Sequence, residues 1–328
     1  MPRPVLDPGP ALSLPADFGR RFLICADAEE EFDWSAPFSR RHVKTTAARA
    51  LPAATRHFHA MGVQPVYLCD YPMIDTDRSA AIIRGLVEDG LCAVGAQLHP
   101  WVTPPFDEAL TPRNSFASNL PHALEEAKLI HLTRRLTDQL GCQPLLYRAG
   151  RYGIRAASFP ILARLGYRLD LSVRSHFDYR AQGGPNFRGL PLHPWTAGDD
   201  IICLPLTTGW TGPLRRLPPL HRLRMLRGPL SRLRLLQRVP LTPEGTPLRS
   251  ALEAIARLDA DGVRVFHLSF HTPSLLPGHT PYVRTTEDLR VFWRWWDGVL
   301  AELDRRGIAP TTSASLLNIL AQATEIRR

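Results

Sequence analysis

The chain has 328 residues, and 40 basic against 31 acidic side chains leave a formal charge of +9. Hydrophobic residues make up 44% and charged residues 22%, globular values that exclude wholesale disorder, while 31 prolines, roughly twice the usual ~5%, imply many rigid loops. No run of about 18 apolar residues is present, which excludes a membrane-spanning helix.

Five prolines and no apolar signal-peptide core mark residues 1–20 as a Pro-rich N-terminal tail. The five cysteines (Cys25, Cys69, Cys92, Cys142, Cys203) are scattered and form no CxxC, which predicts reduced thiols in a cytoplasmic protein. Short apolar runs then read as strands over 21–27, 64–70, 91–99, 144–148, 167–173, 200–206 and 263–271, with a weaker one over 309–313. Between them, 79–89 carries Ile82, Ile83, Leu86 and Val87 on one helical face and stops at Gly90. After Asn119, Leu129, Leu132, Leu136 and Leu140 recur at helical spacing up to Gly141. A last stripe (Leu289, Phe292, Trp293, Trp296, Leu300, Leu303) reads as core rather than a binding platform. This alternation predicts an α/β fold with a mostly parallel sheet, and seven or eight strands suit a barrel filling one domain from residue 21 to 328.

One stretch departs from the pattern. Residues 211–250 hold nine arginines and one acid, Glu244, and so supply +8 of the +9. Prolines at 213, 218, 219, 229 and 240 leave room only for short helices, over 221–227 and 231–238, in an Arg/Pro-rich insertion of about 211–247. It reads as a solvated cap on one barrel end, or as a contact for an anionic partner such as a lipid head group, a membrane surface or a phosphorylated sugar carrier. No nucleic-acid-binding module accompanies it, so no nucleic acid is expected.

Several apolar runs end in an ionisable side chain: Asp27, Asp70, His99, Arg148 and His271. In a parallel α/β barrel the C-terminal strand ends converge on one mouth, where active sites are built. Strand parity puts His267, Ser269 and His271 on one side and Leu268 and Phe270 on the other, and lets Asp27 and Glu29 point together. Five acids within residues 27–33 repel one another unless a cation or an arginine compensates; an exposed acidic loop is the alternative, and a divalent metal held by carboxylate and imidazole resolves the repulsion. His267, deeper in its strand, reads as a hydrogen-bonded core residue.

The segments Asp27-Ala28-Glu29-Glu30-Glu31-Phe32-Asp33-Trp34, Gly95–Pro105, Tyr147–Gly153 and Leu268–Ser274 resemble, in order, four motifs of the NodB-homology polysaccharide deacetylases, carbohydrate esterase family four. The set is most similar to the WalW-type bacterial branch. The resemblance implies a distorted (β/α) barrel of about seven strands that hydrolyses N-acetyl groups from sugars; the expected reaction is loss of an N-acetyl or N-formyl group from an amino sugar or glycan, on a nucleotide or lipid carrier if the Arg-rich insertion and the lack of an export signal are read together. The resemblance also implies one divalent metal, zinc first, with cobalt, nickel or manganese as alternatives. Carried over, Asp27 is the general base, His271 the general acid and Arg148 the residue that orients Asp27, while Glu29 and His99 bind the metal. Trp101, Arg151 and Tyr152 line the mouth as substrate-binding residues, and Asp170 stands where the family has an aspartate orienting the catalytic histidine. Thr103 replaces the family's second metal histidine; Gln97 is a poorer ligand, and His193 is the remaining candidate. A glycan-binding barrel impaired in catalysis is therefore the alternative reading.

Overall fold

The computed structural model of the chain describes residues 6–198, 201–217, 220 and 224–325. In chain order its strands are β1 (Arg20–Ala28), β2 (Val66–Cys69), β3 (Ala93–Leu98), β4 (Leu146–Ala149), β5 (Leu169–Asp170), β6 (Trp195–Thr196), β7 (Ile202–Cys203), β8 (Thr208–Thr211), β9 (Gln237–Pro240), β10 (Val265–His271) and β11 (Ile308–Pro310). The main sheet runs β10-β1-β2-β3-β4-β5-β7-β6, parallel throughout except for β6, and β11 joins the first residues of β1. This is the expected curled α/β barrel. Its register sets the chemistry, because Asp27 lies beside His271 and Gln97 beside Arg148 on neighbouring strands.

Alternation along β1 sorts the interior. Phe22, Ile24 and Ala26 join the layer packed under the outer helices, whereas Leu23 and Cys25 join an apolar plug inside the barrel with Val66, Leu68, Leu146 and Leu169. Asp27 follows Cys25 at a two-residue step and so tops that plug. The other end is closed by Leu316 and Leu320 of the helix Ser313–Glu325 and by Leu12 and Phe18, so the segment read as a tail docks from residue 6 onward. Outside, the helices Asp77–Glu88, His122–Leu140 and Thr286–Arg305 match the three expected ones. Gly141 ends the second with a left-handed φ of 68°. A capping box between Thr285 and Asp288 starts the third, and Trp296 is fully buried beneath it.

The sheet is least regular where the expected strands 167–173 and 200–206 shrink to two residues each. Single bonds such as Leu171 N to Tyr147 O and Leu206 N to Val173 O continue the pairing beyond them. Between these strands and β10, the chain at Thr207 and Leu241 closes the barrel. Thr207 N donates to His267 O at 3.0 Å, and Ser269 N to Leu241 O at 3.2 Å.

The Arg-rich stretch leaves and returns through β8 and β9, an antiparallel pair with Thr211 opposite Gln237. Of the helix expected over 221–227, residues 221–223 lie outside the described residues; the helix described here is Arg224–Arg232. The helix expected over 231–238 does not form. Arg234 takes a left-handed φ of 56°, which breaks the helical path, and β9 begins three residues later. No disulfide links the five cysteines, and no helix among the described residues is long and apolar enough to cross a membrane.

Candidate active site

β1, β3, β4 and β10 bring Asp27, Gln97, Arg148 and His271 to one end of the barrel, and the chain just beyond β1 and β3 adds Glu29 and His99. Asp27, Glu29, Gln97, His99 and His271 line a cavity of about 460 Å³. Arg148 is fully buried beneath it and donates to Asp27 Oδ1, to Leu171 O (3.0 Å) and to His267 Nε2 (2.9 Å). Because a guanidinium only donates, His267 Nε2 accepts and its Nδ1–H faces Leu204 O at 3.2 Å. Burial and the Arg148 charge push His267 down to about 3. His267 is the neutral core residue its position in the strand implied.

Asp27 Oδ2 faces His271 Nε2 at 3.6 Å. His271 Nδ1 lies 2.5 Å from Glu244 Oε2, and its backbone N–H donates to Glu244 Oε1 at 3.0 Å. Burial pulls the imidazolium down, but the Glu244 and Glu29 carboxyls outweigh it and raise His271 to about 10. The ring therefore carries its proton at neutral pH.

Glu29 and His99 also meet, with His99 Nε2 at 3.5 Å from Glu29 Oε2. Behind His99, Nδ1 bonds to Glu30 Oε2 (2.8 Å) while Trp101 Nε1 donates to Glu30 Oε1 (2.7 Å). Glu30 in turn bonds to Asp70, whose carboxyl is held well above its usual range by burial and by Glu30. The Asp70 carboxyl accepts from the backbone N–H of Glu30 (2.8 Å) and of Met73 (2.9 Å), and His99 Nδ1 faces the carboxyls of both Glu30 and Asp70. That assigns Nδ1–H to His99 and leaves the Nε2 lone pair turned toward Glu29.

Two buried oxygens here have no partner, Glu29 Oε1 and Gln97 Oε1, and burial pushes the Glu29 carboxyl up to about 8. Gln97 Nε2 faces Glu29 Oε2 at 3.5 Å; the ligand atoms of Asp27, Glu29 and His271 lie within 4.8 Å of one another, as do those of Glu30, Asp70 and His99, so the carboxylates and imidazoles gathered here fit a divalent metal. Thr103 is buried but does not line the cavity. Its carbonyl accepts from the buried Lys128 ammonium (2.7 Å), which also clamps Pro100 and Pro105 in the same turn.

The acidic cluster is thus divided among separate partners. Asp27 takes Arg148, Glu29 faces His99, and Glu30 holds His99 and Trp101. Glu31 accepts from Thr46 Oγ1 (2.6 Å) and pairs with His279 (3.1 Å), and Asp33 binds Ser35 in an exposed turn.

Trp101, Arg151 and Tyr152 all line the cavity. Trp101 is almost fully buried, stacked on His99 at 4.3 Å between ring centres. Arg151 and Tyr152 both have left-handed φ (53° and 63°), which turns their side chains over the mouth. The preceding Gly150 is obligatory, because a Cβ there would lie 2.3 Å from His99 Cδ2.

Two expectations are corrected. Asp170 does not reach His271; it binds Ser172 and Cys203 within the barrel wall. Glu244 takes that position, delivered by the chain returning from the Arg-rich stretch. His193 lies exposed in a pocket beside Leu12 and Val265, at the opposite barrel end, so it cannot join Glu29 and His99. Glu244 escaped the sequence reading as a site residue, although it is conspicuous as the lone acid among nine arginines.

No family model matches the chain, and no curated protein sequence matches it. Two solved structures share its fold. A Mycobacterium smegmatis protein described as a polysaccharide deacetylase matches with a TM-score of 0.55 at 14% identity, over 98% of this chain and 96% of that one. The PuuE allantoinase matches with a TM-score of 0.56 at 13% identity, over 97% of each chain. The architecture is that of these two proteins, in agreement with the family whose motifs the sequence resembles.

Proposed function

We propose that the protein is a metal-dependent hydrolase that removes an N-acetyl or N-formyl group from an amino sugar or glycan. The observation that carries this reading is the placement of Asp27 and His271 on one cavity, each held from behind by an oppositely charged partner. Arg148 occupies one Asp27 oxygen and leaves Oδ2 to take a proton from an attacking water. The water oxygen bonds to the amide carbon. His271, protonated and fixed through Nδ1 by Glu244, then gives its Nε2 proton to the nitrogen as the C–N bond breaks, because an amine anion is too basic to leave. The products are a carboxylic acid and a free amine.

Glu29 and His99 would hold the metal, zinc first among the candidates. When bound, it would polarise the amide carbonyl and acidify the water. Placement in the WalW-type branch rests on the motifs alone. A charged carrier on the substrate, or contact with an anionic membrane, is supported by the Arg-rich stretch.

The test is metal analysis of the purified protein together with free-amine detection on a panel of N-acylated sugars. Stoichiometric divalent metal and amine release that falls roughly 100- to 10,000-fold in Asp27→Asn are expected. Equal release by the variant removes Asp27 from the mechanism. Protein that neither holds nor acquires metal, and turns over none of the panel, favours the glycan-binding alternative suggested by Thr103.

A further inference from the structure

Asp27 and Glu244 on the cavity have cationic partners, Arg148 and His271. Arg151 and Arg174, on the same cavity, have neutral partners only. Arg151 rests on the rings of Phe116 (4.1 Å) and Phe38 (5.1 Å) and donates to neutral oxygens only, Gln182 Oε1 (2.7 Å), Ser115 Oγ and Pro112 O (3.4 Å). Arg174 lies over Phe177 at 4.0 Å and Tyr152 at 5.0 Å. It donates to Tyr179 Oη at 3.2 Å, and its buried Nε has no partner. Among the described residues neither guanidinium pairs with a carboxylate. Ring faces hold a guanidinium plane in place but do not saturate its five N–H donors, and this fork matches the spacing of carboxylate or phosphate oxygens.

We propose that Arg174, with Arg151, forms an anion subsite of the cavity, so that the sugar bound there carries a carboxylate or a phosphate ester. This rests on the proposed sugar N-deacetylation and adds the class of substrate. Both arginines line the same cavity as Asp27 and His271, so an anion held there belongs to the molecule whose amide is cut.

Binding is measured by calorimetry with glucose, glucuronate and glucose 6-phosphate, none of which has an acyl group to lose. At least one anionic sugar should bind about tenfold or more tightly than glucose to the unaltered protein, and which of the two it is identifies the oxyanion. That preference should collapse to within about threefold in Arg174→Gln and be partly restored in Arg174→Lys, which keeps the charge without the fork. Equal binding of all three sugars to the unaltered protein, or binding of neither anion, overturns the subsite without any variant. A preference that survives in both variants places the anion elsewhere and overturns it too. Amine release from N-acetyl sugars is assayed separately: its absence beside an intact, Arg174-dependent preference removes the reaction and leaves the subsite standing.

Discussion

In the proposed reaction Asp27 and His271 depend on the residues that hold them, and Glu244 is the plainest case. It receives both the backbone N–H and Nδ1 of His271, and Ser274 Oγ donates to it at 2.6 Å. Glu244→Gln keeps the shape but removes the charge that holds the His271 proton. Amine release at neutral pH should fall by roughly tenfold or more, and the alkaline limb of the pH–rate profile should move to lower pH, since His271 then loses its proton more readily. A profile whose alkaline limb does not move would mean that His271 is not the acid. Gly150 illustrates a purely steric demand. Gly150→Ala presses a methyl group on the His99 ring and on Leu98 O (2.6 Å), and should destabilise the protein by roughly 1–3 kcal/mol in urea denaturation.

Among elements, β5 and β10 carry two buried groups with opposite pH linkage. Burial drives His267 from 6.5 to about 3, so the unfolded chain takes up that proton first and stability is lost as pH falls from about 6.5. Burial drives Asp170 from 3.8 to about 6, so the folded chain takes up that proton first and stability is lost as pH rises from about 4 to 6. Between pH 4 and 6 the two slopes oppose each other. His267→Gln should uncover the Asp170 slope, a loss of roughly 2–3 kcal/mol relative to the parent's trend between those values. Asp170→Asn should uncover the reverse slope. Urea midpoints at pH 4.5 and 6.0 for the three proteins decide it, and parallel trends would contradict both assignments. Both side chains lie in strands whose type the apolar runs disclosed, but their burial came only from the closure of the barrel around them.

At the scale of the molecule, the Arg-rich excursion has two parts. Its feet close the barrel and deliver Glu244, while its outer portion, 213–236, holds seven arginines and no acid. Replacing 213–236 by a short Gly/Ser turn joins Thr211 to its partner Gln237 and lowers the formal charge from +9 to +2. The trimmed protein should fold and release amine within about threefold of the parent, and in a sedimentation assay only the parent should bind anionic vesicles in a salt-sensitive way. Loss of amine release would tie the outer portion to catalysis, and unchanged vesicle binding would end its role as a charged contact.

Local order was legible because it depends on near neighbours. Alternation within 263–271 separates the lumen from the helix side, and the runs ending in Asp27, His99, Arg148 and His271 already place charges at strand ends. The two-residue strands and β6, β8 and β9 were not legible, because pairing so brief leaves no periodicity to detect. Partner choice was also beyond the sequence: neither Glu244 nor Asp170 carries a local sign that it meets His271, and Glu30 looks like any other acid in its cluster. Which carboxylate meets which imidazole depends on how the sheet curls and where a long excursion returns, and those distances exist only once the barrel has closed.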